Sequence, residues 1–156
     1  MNSRLQREIR QRRPFRSLHE EAFLNLQRTA NFQLQALSRF LGPFDVTPTQ
    51  YNTLRILRGS HPDRLPCKEV GRRMVTPLPD VTRLLNRLAA RALIERSVDS
   101  RDRRVVLAGI TAPGLALLAE IDRPLDRFLI ELLADLENGE LVELVRMLEI
   151  GRLHAE

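Results

Sequence analysis

The chain has 156 residues, 43% of them hydrophobic, and a formal net charge of +5, which suits one soluble domain with a core of its own. A single cysteine, Cys67, excludes an intrachain disulfide framework, and no run is apolar for long enough to cross a membrane, since Leu115 to Ala119 is broken at once by Glu120. The start lacks the apolar centre of a secretory signal, so the cytoplasm is the expected compartment.

Met1 to Arg16 carries six arginines and one glutamate and reads as a partly ordered basic arm, residues 1–16, that adds affinity for a polyanion without base specificity. Ser17 with Glu20 fits a capping box, and a long helix runs from there to about Leu41, where Gly42 and Pro43 stop it. Leu18, Ala22, Leu26, Ala30, Leu34, Leu37 and Leu41 form one stripe, with Phe23 and Phe32 off it. A helix with two apolar faces in so small a protein points to an interface with another chain. Thr47-Pro48-Thr49-Gln50 starts a second helix, with Thr47 as cap, Pro48 at the first helical position and Gln50 completing the box. Tyr51, Leu54 and Leu57 give its inner face, and Gly59 closes it. Residues 60–64 are a loop. Pro66 to Met74 is a short helix with Val70 and Met74 inward, Val75 to Leu78 a turn, and Pro79 opens the next helix, with Asp80 favouring its positive end.

The stretch from Val81 to Leu107 dominates the chain. Val81, Leu84, Leu85 and Leu88 recur at helical spacing, which leaves Thr82, Arg83, Asn86 and Arg87 on the opposite face. Arg96 to Val98 and Val105 to Leu107 can pair as strands around a charged tip, Asp99 to Arg104. Short helix, turn, arginine-bearing helix and basic hairpin make a winged helix-turn-helix, which holds duplex DNA at two places. Thr82 and Arg83 sit where base edges are reached, Asn86 lies one turn further on, and Arg87 falls towards a phosphate. Arg101, near the tip, suits the minor groove, and Arg103 and Arg104 join it as candidate DNA contacts. Arg104 has two readings, a phosphate contact and an ion pair with Asp99 that stiffens the wing.

Beyond the wing, Thr111 starts a helix with Leu115, Leu118 and Ile121 inward. Pro124 is placed to kink it, and Leu125, Phe128, Leu129, Leu132 and Leu133 continue the pattern. Asn138-Gly139 reads as a break, and Glu140 to Leu153 as a last helix with Leu141, Leu144, Val145, Leu148 and Leu153 on its apolar side. These helices hold more apolar surface than a lone winged domain needs. With the first long helix they read as a dimerisation layer, 17–42 and 111–156, around a DNA-binding region, 43–110, in one compact domain.

Charge follows the same division. Residues 65–107 carry ten basic and five acidic side chains, residues 111–156 four basic and ten acidic. Lys68 is the only lysine, and arginine binds phosphate and guanine through paired hydrogen bonds that lysine cannot make. His19, His61 and His154 have no metal-ligand spacing and read as surface or packing residues, so no metal or cofactor is expected. Cys67 reads as a packed, inert thiol. No glycine-rich phosphate loop, H-E-x-x-H or G-x-S-x-G occurs, so an enzyme is not expected.

On these residues the chain resembles the MarR family of bacterial winged helix-turn-helix transcriptional regulators. Asp99, Arg101, Asp102 and Arg104 match the family's D-x-R-D-x-R wing. Thr82-Arg83-Leu84 through Leu88 is similar to its T-R-L-x-x-R-L recognition helix, Thr47 to Tyr51 to the start of its second helix, and Thr111 with Gly114 to the T-x-x-G behind the wing. The likeness covers roughly residues 20–150. Ala92 departs from it, standing where the family usually has glycine, and prolines at 66, 77 and 79 crowd the helix-turn-helix. The resemblance implies a homodimeric repressor on a pseudo-palindromic operator, with a small-molecule effector bound between the DNA-binding and dimerisation layers; nothing in the sequence identifies that effector or its residues. The alternatives are a DNA-binding regulator without effector, and a protein-interaction module that uses the acidic helices.

Overall fold

The computed structural model of the chain describes residues 3–153, so His154 lies outside the described residues. Its elements in order are helix α1 (Arg4–Glu8), α2 (Leu18–Leu41), α3 (Pro48–Arg58), strand β1 (Leu65–Pro66), α4 (Cys67–Arg72), α5 (Val81–Ala90), β2 (Ile94–Val98), β3 (Val106–Ile110), α6 (Ala112–Leu132) and α7 (Asn138–Arg152). The fold is mainly helical with a small antiparallel sheet, as the winged-helix pattern predicts. No described helix is long and apolar enough to cross a membrane. The chain divides into two compact units, one up to Leu118 and one from Ala119 on, with the division inside α6.

In the first unit the segment expected as an arm forms α1. Ser3 caps it by accepting the Gln6 N–H, Leu5 is buried, and Glu8 pairs with Arg28 of α2 at 2.9 Å. Ser17 caps α2 as expected, but Glu20 reaches past it: its carboxylate accepts the Arg16 backbone N–H at 2.6 Å and pairs with the Arg16 guanidinium. The apolar stripe of α2 is largely open. Only Leu41 is buried, while Leu18, Phe23, Leu26, Phe32 and Leu34 are exposed.

Thr47 and Gln50 close the predicted capping box of α3. Its inner face (Tyr51, Leu54 and Leu57) packs into a core shared with Val70 of α4, Leu85 and Leu88 of α5, and Ile94, Ala108 and Ile110 of the sheet. Each large aliphatic side chain buried there is worth about 1.5–3 kcal/mol. The sheet is larger than the expected hairpin. Its order is β1-β3-β2, because Leu65 and Pro66 pair with Ala108 and Leu107. Leu65 falls in a stretch too short for period-two alternation to mark it.

In the second unit Ile121 and Leu125 are buried and the helix runs on through Pro124. Asn138 and Gly139 do not break the chain; they are the first residues of α7. Glu137 caps the helix and Glu140 answers by accepting the Glu137 N–H at 2.9 Å. No residue of α7 is buried, and Val142, Val145, Met147, Ile150 and Leu153 are exposed.

Candidate nucleic-acid interface

The helix-turn-helix is held by contacts at close quarters. A β-carbon on Gly71 of α4 would lie 3.0 Å from Val81 of α5, so the two helices nearly touch there. The turn between them is tied to α3: the Val75 N–H donates to Asn52 Oδ1 at 3.0 Å, and the buried Thr53 hydroxyl lies 3.5 Å from the Met74 sulfur. Asp80 starts α5 by accepting the Arg83 N–H at 2.8 Å. The helix therefore begins at Val81 and not at Pro79, because the carboxylate takes the capping position and leaves proline outside.

The division of α5 into two faces is as its periodicity predicts. Leu85 and Leu88 are buried, and Thr82, Arg83, Asn86 and Arg87 are all exposed. The helix ends in a Schellman motif. Ala92 N–H donates to Ala89 O at 2.9 Å, and Leu93 N–H to Leu88 O at 3.1 Å. Ala92 itself takes the left-handed conformation, φ 55°, that glycine would adopt at less cost.

The wing is the β2–β3 hairpin, with Val98 opposite Val106 at its outer end. Asp99 Oδ1 accepts the Arg101 N–H at 2.8 Å, and the Asp99 N–H donates to Val105 O at 2.9 Å. Asp99 thus supports the tip through the backbone. Arg104 pairs with Asp102, at 3.1 Å, and not with Asp99. A side chain two residues away along the tip meets the carboxylate sooner than one across it. The Arg104 guanidinium, and next its backbone N–H, hold the Asp102 carboxyl below its ordinary range. Arg101 and Arg103 are exposed.

Three interactions have no counterpart in the sequence pattern. Arg64, in the loop before β1, reaches Glu95 Oε1 at 2.6 Å and Ser97 Oγ at 2.8 Å on β2. It crosses Gly109, where a β-carbon would lie 3.0 Å from the arginine stem. The glycine inside a strand is the one signal for it. Arg96 of β2 donates from Nη1 to Asn86 Oδ1, joining the wing to the exposed face of α5. Arg91 donates to Asp45 O and pairs with its carboxylate at 3.2 Å. Cys67, at the first position of α4, is a free and half-buried thiol. Between α1 and α2 lies an open groove of about 380 Å³, walled by Leu5, Ile9, Leu24 and Phe32 with Arg28 stacked 4.9 Å over the Phe32 ring.

The geometry of helix and wing has counterparts among known proteins. A family model described as MarR family matches residues 44–105, which runs from just before α3 through the wing tip to the edge of β3. The crystal structure of a MarR transcription factor from Planctomyces limnophilus is similar at 36% identity and a TM-score of 0.68, over 88% of this chain and 99% of that one. Bordetella bronchiseptica BpsR, whose DNA binding is described as regulated by 6-hydroxynicotinic acid, is 25% identical with a TM-score of 0.74, over 83% of this chain and 97% of that one. An E. coli MarR variant complexed with operator DNA has the same fold at 23% identity, TM-score 0.76, over 85% and 96% of the two chains. No curated protein matches the sequence.

Proposed function

The chain belongs to the MarR family of transcription regulators, and from that premise we propose that it is a homodimeric repressor of a pseudo-palindromic operator, released by a small-molecule effector. The donor-bearing face of α5, exposed and tied to β2 of the wing by Arg96, carries the proposal. Thr82, Arg83, Asn86 and Arg87 would face base edges and phosphates in the major groove, and Arg101, Arg103 and Arg104 would follow the flanking backbone or minor groove. Asp99 would keep the tip in shape. The E. coli relative of the same fold is complexed with operator DNA, which supports DNA binding by a chain of this fold.

A second copy of the chain suits the open apolar faces of α2 and α7, and two winged units would then meet two half-sites about 34 Å apart. An effector would act by favouring a spacing that no longer fits. The groove between α1 and α2 is of a size that a small ligand fills, and regulation of BpsR by 6-hydroxynicotinic acid supports looking for such a ligand here.

The test is binding to labelled DNA from the gene's own upstream region, with random DNA as competitor, at about 0.15 M salt. Specific binding that is lost in Arg83→Ala is the expected result. Binding abolished equally by random DNA would sink operator recognition and favour a protein-interaction role for the acidic helices.

A further inference from the structure

Asn86 is the amide on the exposed face of α5, among Thr82, Arg83 and Arg87. An asparagine side chain offers an acceptor, Oδ1, and a donor group, Nδ2. In a major groove the two are ordinarily used together on adenine, whose N6 donates and whose N7 accepts. Arg96 takes one of the two lone pairs of Oδ1 and sets a positive charge beside it. Its Nη1 donates to Asn86, and a guanidinium carries donors only, so the atom it meets is the oxygen.

The contact lies at the surface on the Asn86 side and is anchored on the Arg96 side. Arg96 is half-buried on β2, and its Nε is buried without a hydrogen-bond partner among the described residues. Giving up Asn86 would leave a half-buried cation short of a second partner, which is costly. Donation from a cation also polarises the amide, so Nδ2 becomes a better donor as Oδ1 is taken.

We propose that Asn86 reads DNA chiefly as a donor, because the Arg96 cation takes one lone pair of its oxygen and disfavours a second donor, such as adenine N6, beside it. Nδ2 then selects a base acceptor, guanine O6 or N7 or thymine O4. Adenine keeps only N7 and loses the advantage of the second bond. Arg83 and Arg87 are donors as well, which leaves the Thr82 hydroxyl as the acceptor of this face. The bases under α5 are therefore acceptor-rich, and Arg96 is a positioning residue that sets base choice from the wing. This rests on α5 lying in the major groove, as proposed above.

Half-site sequences selected from a randomised pool test it, using wild type, Asn86→Ala, Asn86→Asp, Arg83→Ala, Arg96→Leu and Arg96→Lys. The position whose preference disappears in Asn86→Ala is the base that Asn86 reads. Wild type is expected to favour guanine or thymine there. Arg96→Leu is expected to move the preference towards adenine by roughly tenfold, the scale of one good base contact. Arg96→Lys, which keeps a donor on the oxygen, retains the wild-type choice. Circular dichroism and an unchanged thermal melting transition establish that each variant is folded. Should Arg96→Leu fail to fold, Asn86→Asp decides: it keeps an oxygen for Arg96 but has no Nδ2, so the preference disappears. An adenine preference in wild type, a folded Arg96→Leu with wild-type selection, or a guanine or thymine preference kept by Asn86→Asp overturns the proposal. Selections unchanged by both Arg83→Ala and Asn86→Ala overturn the major-groove placement of α5 itself, and the proposal with it.

Discussion

At the end of α5 an alanine does what glycine does at less cost. Ala92 sits at φ 55°, where its β-carbon crowds the following carbonyl, at roughly 1–2 kcal/mol. The conformation survives because the surroundings over-determine it. Two Schellman bonds close the helix, Leu88 and Leu93 are both buried, and the Thr111 hydroxyl donates to Ala92 O at 2.7 Å. Ala92→Gly relieves the crowding but gives the unfolded chain more freedom, worth about 0.4–1 kcal/mol in the other direction. The net expectation is a gain of roughly 0.5 kcal/mol in chemical denaturation; a clear loss would show that the left-handed alanine is unstrained. The arginines separate by what they touch. Arg83→Ala should cost about 1–3 kcal/mol of operator binding and relax choice at one base. Arg103→Ala should weaken all sequences alike and reduce the salt slope by about 0.9 for each phosphate that the side chain neutralises. Competition titrations at several salt concentrations tell the two apart, and equal effects on specificity would contradict the assignment.

The elements show which signals a sequence carries and which it does not. The α3 capping box, the two faces of α5 and the hairpin were legible because each depends on residues within a few positions of one another. Thr47 with Gln50, and Val81 with Leu84, Leu85 and Leu88, are local patterns. What was missed depends on distance. Arg64 meets residues 31 and 33 positions away, and β1 exists only because β3 comes back to pair with it. The Asp99–Arg104 pairing failed for a local reason, since Asp102 competes at shorter range. Gly114 lies between the two cases. Its place after Thr111 was readable, but the need for it comes from Leu93 across the wing base: a β-carbon there would lie 2.2 Å from Leu93 O. A backbone oxygen cannot swing aside, so Gly114→Ala should lower stability by at least about 1–3 kcal/mol, and thermal melting without a shift would refute the contact. The tip has a pH signature of known sign. Arg104 lowers the folded pKa of Asp102 below the ordinary 3.8, so its contribution is complete above that value and is lost only as pH falls through the folded value. Wing-dependent DNA affinity should therefore not change through this group near neutral pH. Asp99→Ala, by contrast, removes the acceptor for the Arg101 N–H at every pH and should weaken operator binding throughout.

At the scale of the whole molecule, the question is what covers the apolar surface that one chain leaves open. Leu18 is 78% exposed in the first unit, and Ile130, Val142 and Leu153 are each 71–72% exposed in the second. Single exposed leucines are ordinary, but α2 and α7 are exposed along their lengths, and α7 buries no residue at all. The sequence carried this as an excess of apolar helix over what a winged unit needs. It could not show which faces stay open, because a stripe looks the same whether its cover is intramolecular or not. A second copy as the cover makes operator affinity depend on oligomeric state, since two reading helices on one site bind with an effective concentration that a monomer lacks. Leu26→Glu on α2 and Ile150→Glu on α7 place a charge on exposed positions, so each chain should still fold. Sedimentation should show wild type as a dimer at micromolar concentration and both variants shifted towards monomer. Specific operator affinity should fall by about 100-fold or more, with a smaller loss on random DNA. Variants that become monomeric and still bind the operator as wild type does would show that one winged unit suffices, and that the apolar helices serve another partner.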